Sequence, residues 1–356
     1  MSTFLVAALS CLVFWAAVAA GPATIQSPGQ ATASTNGPIE LEFQALLARD
    51  DAAQAAASEM IANDDQASDS LSAPLRVTLR ARMDQKFQPV RDAYSDFLLQ
   101  HPDHARGHLA FGSFLSDIGE DSEALIHDEK ARDLDPKNPA AWNNLGGLYA
   151  RLEKVARAFD CYEEAIRLNT NQASYPHSLG TLICLFPREA AEHYHCETSE
   201  TIPKAVSLYQ TAIRLDPENF EYSQDLAETF YAAPPGSTSK PEVRNEWGQK
   251  ALAAWTNALE RASIDIQREG VYLHMARWHL RLGEKASASL RLSQVTHRAL
   301  LPLKRELMGV LEPTTAGGAQ PVTSNPQGKE EAVKNPSPSE LQTPSAISPA
   351  PTAPQR

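Results

Sequence analysis

The sequence predicts an all-α fold in which helical hairpins stack side by side into a solenoid. The first observation is an internal repeat, because residues 105–138 and 139–172 superimpose at a spacing of 34 residues. The second is that both copies place small and aromatic residues where stacked helices touch. Those positions hold Phe111, Gly112, Leu115, Ala124, Ala131 and Pro136 in the first copy, and Leu145, Gly146, Tyr149, Ala158, Ala165 and Thr170 in the second. The third is a hydrophobic content of 42%, which is ample for a continuous interior.

This period and these positions resemble the tetratricopeptide repeat, a helix–turn–helix unit that stacks into a superhelix. The resemblance implies a right-handed solenoid of about five repeats with capping helices at both ends. It also implies a surface that binds proteins or peptides rather than a catalytic centre. We therefore predict a protein–protein interaction scaffold that is not an enzyme and needs no cofactor.

The same positions divide residues 71–302 into successive units. The predicted units lie near 71–104, 105–138, 139–172, 173–219, 220–268 and 269–302. The unit near 71–104 is degenerate, because it keeps the second helix and the closing Pro102 but lacks the small residues of a first helix. We expect the other units to form helix pairs.

Two units carry extra residues in the turn between their helices. Gly180 and Ala205 are 25 residues apart, whereas Gly112 and Ala124 in the regular unit are 12 apart. Insertions on one face of a repeat array often mark a binding edge. Turns also tolerate extra residues at a small entropic cost, so both interpretations stay open. The insertions are expected near 187–200 and 232–246.

Both ends of the array are predicted to be capped and then followed by irregular chain. Residues 38–70 contain two short helical patterns, one with leucines and a phenylalanine and one rich in alanine, which predict an N-terminal cap. Leucines recur at helical spacing behind Pro302 and predict a capping helix over 303–312. Residues 21–37 are expected to be a flexible leader. Residues 313–356, with nine prolines and few large apolar side chains, are expected to be disordered.

Residues 1–20 resemble a secretory signal peptide. The apolar run at 4–20 ends in small residues before Gly21 and Pro22, as cleavage sites do. An uncleaved anchor is the alternative, since a run of about 17 residues is just long enough to span a bilayer. In either case the body is expected to be exported, as a periplasmic or secreted protein. Contact with a membrane is expected only through this segment.

The charge of the chain excludes some partners and leaves others. The formal net charge is −12. Nucleic acids need a basic face to neutralise their phosphates, so we expect no nucleic-acid partner. Anionic lipid surfaces are disfavoured for the same reason.

The resemblance also supplies candidate binding residues. In this family the first helix of each unit lines a concave groove, and the matching positions here suggest an extended peptide held by amides and charges. The best-known groove of the family clamps a C-terminal carboxylate with paired Lys and Asn. No lysine stands at these positions here, which disfavours such a clamp. The candidates are Arg106, Asn143, Arg151, His177, Gln224, Glu228, Arg277 and Arg281.

One insertion contains the side chains from which a metal site could be built. His193, His195 and Cys196 lie close in sequence, with Cys184 as a fourth N/S ligand. The alternative function is therefore a metal-binding or redox-active protein that uses the loop 193–196. The His-x-His spacing does not place both rings on one helical face. In an oxidising compartment Cys184 and Cys196 could instead form a disulfide and leave Cys161 free.

A third interpretation is a structural spacer in an envelope assembly. Self-association is also open, because repeat arrays stack end to end where a cap is imperfect. The sequence contains no nucleophile elbow, P-loop, dinucleotide fingerprint or zinc-protease helix, which agrees with a role without catalysis.

Overall fold

The computed structural model describes residues 37–67, 73–232 and 240–311, and these residues form helices and short turns without strands. In chain order the helices are α1 (Pro38–Ala67), α2 (Ala73–Gln100), α3 (Ala105–Asp117), α4 (Asp121–Leu134), α5 (Pro139–Arg151), α6 (Val155–Leu168), α7 (Ser174–Leu185), α8 (Pro187–Tyr194), α9 (Thr198–Leu215), α10 (Phe220–Thr229), α11 (Pro241–Arg261), α12 (Asp265–Arg281), α13 (Lys285–Ser293) and α14 (Leu301–Leu311). A 3-10 turn, Arg298–Leu300, precedes α14.

Several predictions concern residues outside these ranges. The signal peptide at 1–20, most of the leader at 21–37 and the tail at 313–356 lie outside the described residues. So do residues 68–70 at the end of the predicted N-terminal cap and residues 233–239 of the second insertion.

The helices pack as hairpins that follow one another along the chain. The pairs are α3 with α4, α5 with α6, α7 with α9, α10 with α11, and α12 with α13. The first helices also contact one another in order, from α3 to α5, from α5 to α7 and from α7 to α10. Each hairpin therefore packs mainly on its neighbours, which confirms the predicted all-α solenoid.

Glycines at the helix crossings explain why the hairpins close tightly. A Cβ atom placed on Gly146 would lie 2.7 Å from the ring of Tyr162, so α5 and α6 can approach this closely only with glycine there. Gly180 faces Tyr209 in the same way, at 3.3 Å. The repeat pattern in the sequence thus marks the positions where the helices touch.

The N-terminal end differs from the sequence-based expectation. Two short helices were expected within 38–70 and a degenerate unit that keeps its second helix within 71–104, and the structure has one long helix in each place, α1 and α2. No Gly or Pro interrupts the Ala-rich pattern of α1 after its first residue. Inside α2 only Pro89 occurs, and the helix continues through it. The two long helices pack on each other, with the rings of Phe43 and Phe97 5.7 Å apart.

Asparagines after the inter-repeat prolines begin two of the first helices. Asn138 accepts a hydrogen bond from the amide of Ala140 at 3.1 Å, and Asn219 accepts one from Glu221 at 3.0 Å. These side chains satisfy amide groups that have no partner inside the helix. The first helices that carry the candidate residues therefore start at well-defined positions.

The third hairpin and the C-terminal end contain additional helices. Helix α8 lies between the two members of the hairpin α7–α9 and contacts both of them as well as α6. Helix α14 packs on α12 and α13, with Leu307 buried against them. Among the described residues, no helix combines the length and the apolar character needed to cross a membrane.

Candidate binding surface on the first helices

The eight candidate residues all lie on first helices of hairpins. They belong to α3, α5, α7, α10 and α12, and none of the eight is buried. The structure therefore gives polar side chains with solvent access to five successive first helices. Their chemistry differs along the row.

Arg106 forms its contacts with the N-terminal helix α1. Its guanidinium lies 3.0 Å from both carboxylate oxygens of Glu40 and stacks over the ring of Phe43, 4.9 Å from its centroid. Because both partners belong to α1, Arg106 ties α3 to α1. We assign it a structural role in addition to its position on the surface.

Arg151 is also paired within the protein. Its Nε and Nη2 atoms donate to the carboxylate of Asp121 at 2.9–3.1 Å, and Nη2 also donates to the hydroxyl of Ser116. These partners lie at the turn of the preceding hairpin. Asp117 is close by, and burial together with the charge of Asp50 raises the pKa of Asp117 to about 6.

The centre of the row offers amides and an imidazole. The side-chain oxygen of Asn143 is buried and has no hydrogen-bond donor, whereas Asn144 donates to Ser113 at 2.9 Å. His177 pairs with Asp225 through Nε2 at 2.7 Å and packs against the ring of Tyr222. Sequence reasoning did not select Asp225, whose partner is 48 residues away.

Gln224 and Glu228 form a pair on one face of α10. The amide of Gln224 donates to Glu228 at 2.9 Å. Burial raises the pKa of the Glu228 carboxyl to about 7, although this hydrogen bond opposes the shift. Near neutral pH, Glu228 is therefore only partly ionised and carries less negative charge than the sequence suggests.

Arg277 and Arg281 stand over aromatic rings. The guanidinium of Arg281 lies 4.9 Å from the ring centroid of Tyr231 and 4.8 Å from that of Trp278. Arg277 lies 5.9 Å from the ring centroid of Tyr231. Within the described part of the chain neither arginine forms an ion pair, and burial lowers the pKa of Arg281.

Sequence reasoning missed the two rings that support these arginines. Tyr231 follows α10, and its hydroxyl pairs with Nδ1 of His274 at 2.9 Å. Burial lowers the pKa of His274 to about 3, so this imidazole stays neutral. Trp278 and His274 lie on the same face of α12 as the arginines. This helical spacing is the signal that could have identified Trp278 from the sequence.

The metal site considered for the first insertion is not assembled. Residues 187–194 form α8, and His193 stacks on Phe159 with its Nε2 atom 3.4 Å from Glu163. His195 ends the helix in a left-handed conformation at φ 52°. Among the described residues, no three His, Cys, Asp or Glu side chains are grouped to hold a metal ion. The helix separates side chains that a loop could have gathered.

The disulfide considered between Cys184 and Cys196 is not formed. Both cysteines and Cys161 are free thiols. Cys184 lies under α10 with its sulfur 3.8 Å from the hydroxyl of Thr229, and burial raises its thiol pKa to about 11. This thiol is thus protonated and a poor nucleophile. Cys196 instead lines an open depression of about 440 Å³ at the end of α8, together with Arg188 and His195.

Stacked α-hairpins with polar first-helix faces define a class of repeat proteins that serve as interaction scaffolds. Residues 139–172 match the family model of the tetratricopeptide repeat. This match identifies residues 139–172 as a tetratricopeptide repeat, and the other hairpins pack on their neighbours in the same solenoid arrangement. A search of curated protein sequences finds no match to the chain.

Solved structures with similar folds include three other proteins. YrrB, "a TPR protein with an unusual peptide-binding site", is 18% identical, with 63% of this chain and 98% of YrrB covered at a TM-score of 0.44. PilF of Pseudomonas aeruginosa is 14% identical, with 74% and 99% covered at a TM-score of 0.47. A "thermophilic TPR protein" of Thermus thermophilus is 17% identical, with 58% and 98% covered at a TM-score of 0.40.

Proposed function

We propose that this protein is a non-enzymatic scaffold that holds an extended segment of a partner protein across the first helices α3, α5, α7, α10 and α12. The observation that carries the proposal is the row of candidate side chains on these helices, none of which is buried. Their amides and charges suit a peptide backbone and polar side chains. The partner class is protein, because the acidic chain disfavours nucleic acid.

Site-specific photo-crosslinking tests this proposal. One variant carries a photoreactive amino acid at Gly147 on α5, where an added Cβ would meet no atom closer than 3.5 Å. The matched control carries it at Ile126, which is 65% exposed on the second helix α4. We expect crosslinks to a partner segment in an extract of the producing cells from position 147 only. Equal yields from both positions, or crosslinks from position 126 alone, would contradict binding on the first helices.

We also propose that the protein is exported. The support is the apolar run at residues 4–20 followed by Gly21 and Pro22. N-terminal sequencing of the protein from fractionated cells tests this. A mature chain that starts near residue 21 outside the cytoplasm is expected, and a cytoplasmic chain that retains residue 1 would refute export.

A further inference from the structure

Among the described residues, the two arginines at the C-terminal end of the row have no acidic partner, in contrast to the other candidate arginines. Arg106 pairs with Glu40 and Arg151 pairs with Asp121. Arg277 and Arg281 have no such partner among the described residues, in a chain whose net charge is −12. Two arginines without an ion pair in the described part of an acidic protein need a physical explanation.

Aromatic rings also lie beside both arginines, and Arg281 is covered on one side by two of them. Tyr231 stacks on Trp278, with 5.2 Å between the ring centroids and 24° between the planes, and Arg281 lies over both rings. The hydroxyl of Tyr231 is fixed by His274, so the aromatic support cannot rotate freely. A guanidinium that has lost part of its hydration gains more from a carboxylate than a fully solvated one does.

We propose that Arg277 and Arg281, supported by Tyr231 and Trp278, bind two carboxylates of an acidic segment in the partner protein. This inference rests on the proposed function and specifies the chemistry of the ligand at one end of the row. This site binds side-chain carboxylates within a polypeptide chain and does not require a free C-terminal carboxylate.

The spacing of the two arginines defines the acidic segment more closely. Residues one helical turn apart on the same face have Cβ atoms about 5–6 Å apart. In an extended peptide, side chains at i and i+2 lie on one side and are about 7 Å apart. The segment that fits best therefore has Asp or Glu at alternate positions, each carboxylate accepting hydrogen bonds from one guanidinium.

A labelled synthetic peptide provides the test. The probe is a fluorescein-labelled nonapeptide with blocked ends and two glutamates at i and i+2 in a Ser/Gly background, and a matched peptide has glutamines instead. Fluorescence anisotropy with the full chain should show saturable binding of the glutamate peptide. We expect the double variant R277A/R281A to bind at least tenfold more weakly. High salt should weaken the wild-type binding as well.

Two further variants separate specific recognition from general charge. R244A/R305A removes the same charge from two exposed arginines and should leave the affinity unchanged within twofold. R277K/R281K keeps the charge but loses the planar fork, so we expect a threefold to tenfold loss. This variant also serves if the alanine variant does not fold. Equal weakening by R244A/R305A, equal binding of the glutamine peptide, or no saturable binding to wild type would overturn the proposal.

The outcomes also distinguish this inference from the proposed function. Crosslinking from position 147 without binding of the glutamate peptide would remove the acidic ligand and retain the scaffold. Binding of the glutamate peptide without crosslinking from position 147 would leave an anion receptor at α12 but no ligand across the row.

Discussion

Arg151 and Arg281 occupy the same register of two different repeats, five residues after Gly146 and Ala276 respectively. Arg151 is paired with Asp121 of the preceding hairpin, whereas Arg281 lies on Tyr231 and Trp278 without an ion pair in the described structure. The backbone position is equivalent, and the preceding hairpin makes the difference. The repeat thus determines the position of a side chain on its helix. The neighbouring hairpin determines whether that side chain has an ion-pair partner within the protein.

Among the described residues Arg281 has no counterpart of Asp121, and the preceding unit differs from the regular repeat by its insertion. Asp121 stands nine residues after Gly112, and counting nine residues from Ala227 leads to Gly236 within the insertion near 232–246. Counted from the first helix, that unit therefore has a glycine in the sequence where the regular unit has the aspartate that pairs with Arg151. Variants at equivalent positions should show how far the repeats differ, from the largest effect to the smallest.

The largest loss of stability is expected at the crossing of α5 and α6. Gly146 has the register of Ala276, but an added Cβ at Gly146 would lie 2.7 Å from the ring of Tyr162. Tyr162 is buried, so its ring cannot move aside. We expect G146A to lower the free energy of unfolding by about 2 kcal/mol, as overpacked cores do. Urea denaturation of both proteins measures this change in the free energy of unfolding.

Gly147 is the matched control for that variant. It is the next residue of α5, and an added Cβ there would make only ordinary contacts. Because alanine favours helix over glycine, G147A should raise the free energy of unfolding by about 0.5–1 kcal/mol. If both variants destabilise the protein equally, the close approach of Tyr162 is not the cause.

A second difference between equivalent positions is found at Asp128. It packs beside Gly112, which is the counterpart of Gly146 in the first regular repeat. Asp128 has the register of Tyr162, and it is fully buried with no hydrogen-bond partner for either carboxylate oxygen. Burial raises the pKa of this carboxyl well above its usual value. Leucine has the shape of this side chain and no polar atoms, so D128L should stabilise the protein by about 1–3 kcal/mol at pH 7.

The pH dependence identifies the cause of that gain. A carboxyl with a raised pKa in the folded state binds its proton more tightly there, so wild-type stability falls as pH rises above about 4. D128L and D128N both lack this titration. Their advantage over wild type should grow from about pH 4 to about pH 8 in thermal unfolding. An advantage that is constant with pH would show that Asp128 does not titrate with folding.

Glu228 occupies the position equivalent to Gly147 and is a second carboxyl whose burial lowers stability when it ionises. Its pKa is raised to about 7 by burial, so its penalty appears as pH rises from about 4.5 to 7 and is complete above 7. E228Q keeps the hydrogen-bonding capacity toward Gln224 without the charge. We expect E228Q to be about 1 kcal/mol more stable than wild type at about pH 8. At about pH 4 the difference should vanish, and a gain that persists there would point to packing.

The sequence predicted the elements that depend on the repeat but not those that depend on distant neighbours. The hairpins α3–α4 and α5–α6 follow from small residues at a fixed period, which is a local signal. Helix α8 falls in an insertion, where the repeat gives no information. The pairing of Arg151 with Asp121 joins residues 30 positions apart in sequence, so only the packing of hairpins reveals it. The burial of Glu228 likewise follows from the packing of hairpins and not from the local sequence.

The smallest effect is the most direct test of the difference between Arg151 and Arg281. R151A removes a bidentate ion pair at the surface and should destabilise the protein by about 0.5–1 kcal/mol in low salt and less in about 1 M NaCl. R281A breaks no ion pair among the described residues, and the loss of its contact with Tyr231 is offset by the removal of a positive charge beside Arg277. Its unfolding free energy should therefore match wild type within about 0.5 kcal/mol. If R281A instead loses as much stability as R151A, with the same salt dependence, then Arg281 has an acidic partner within the chain and is not available to a ligand.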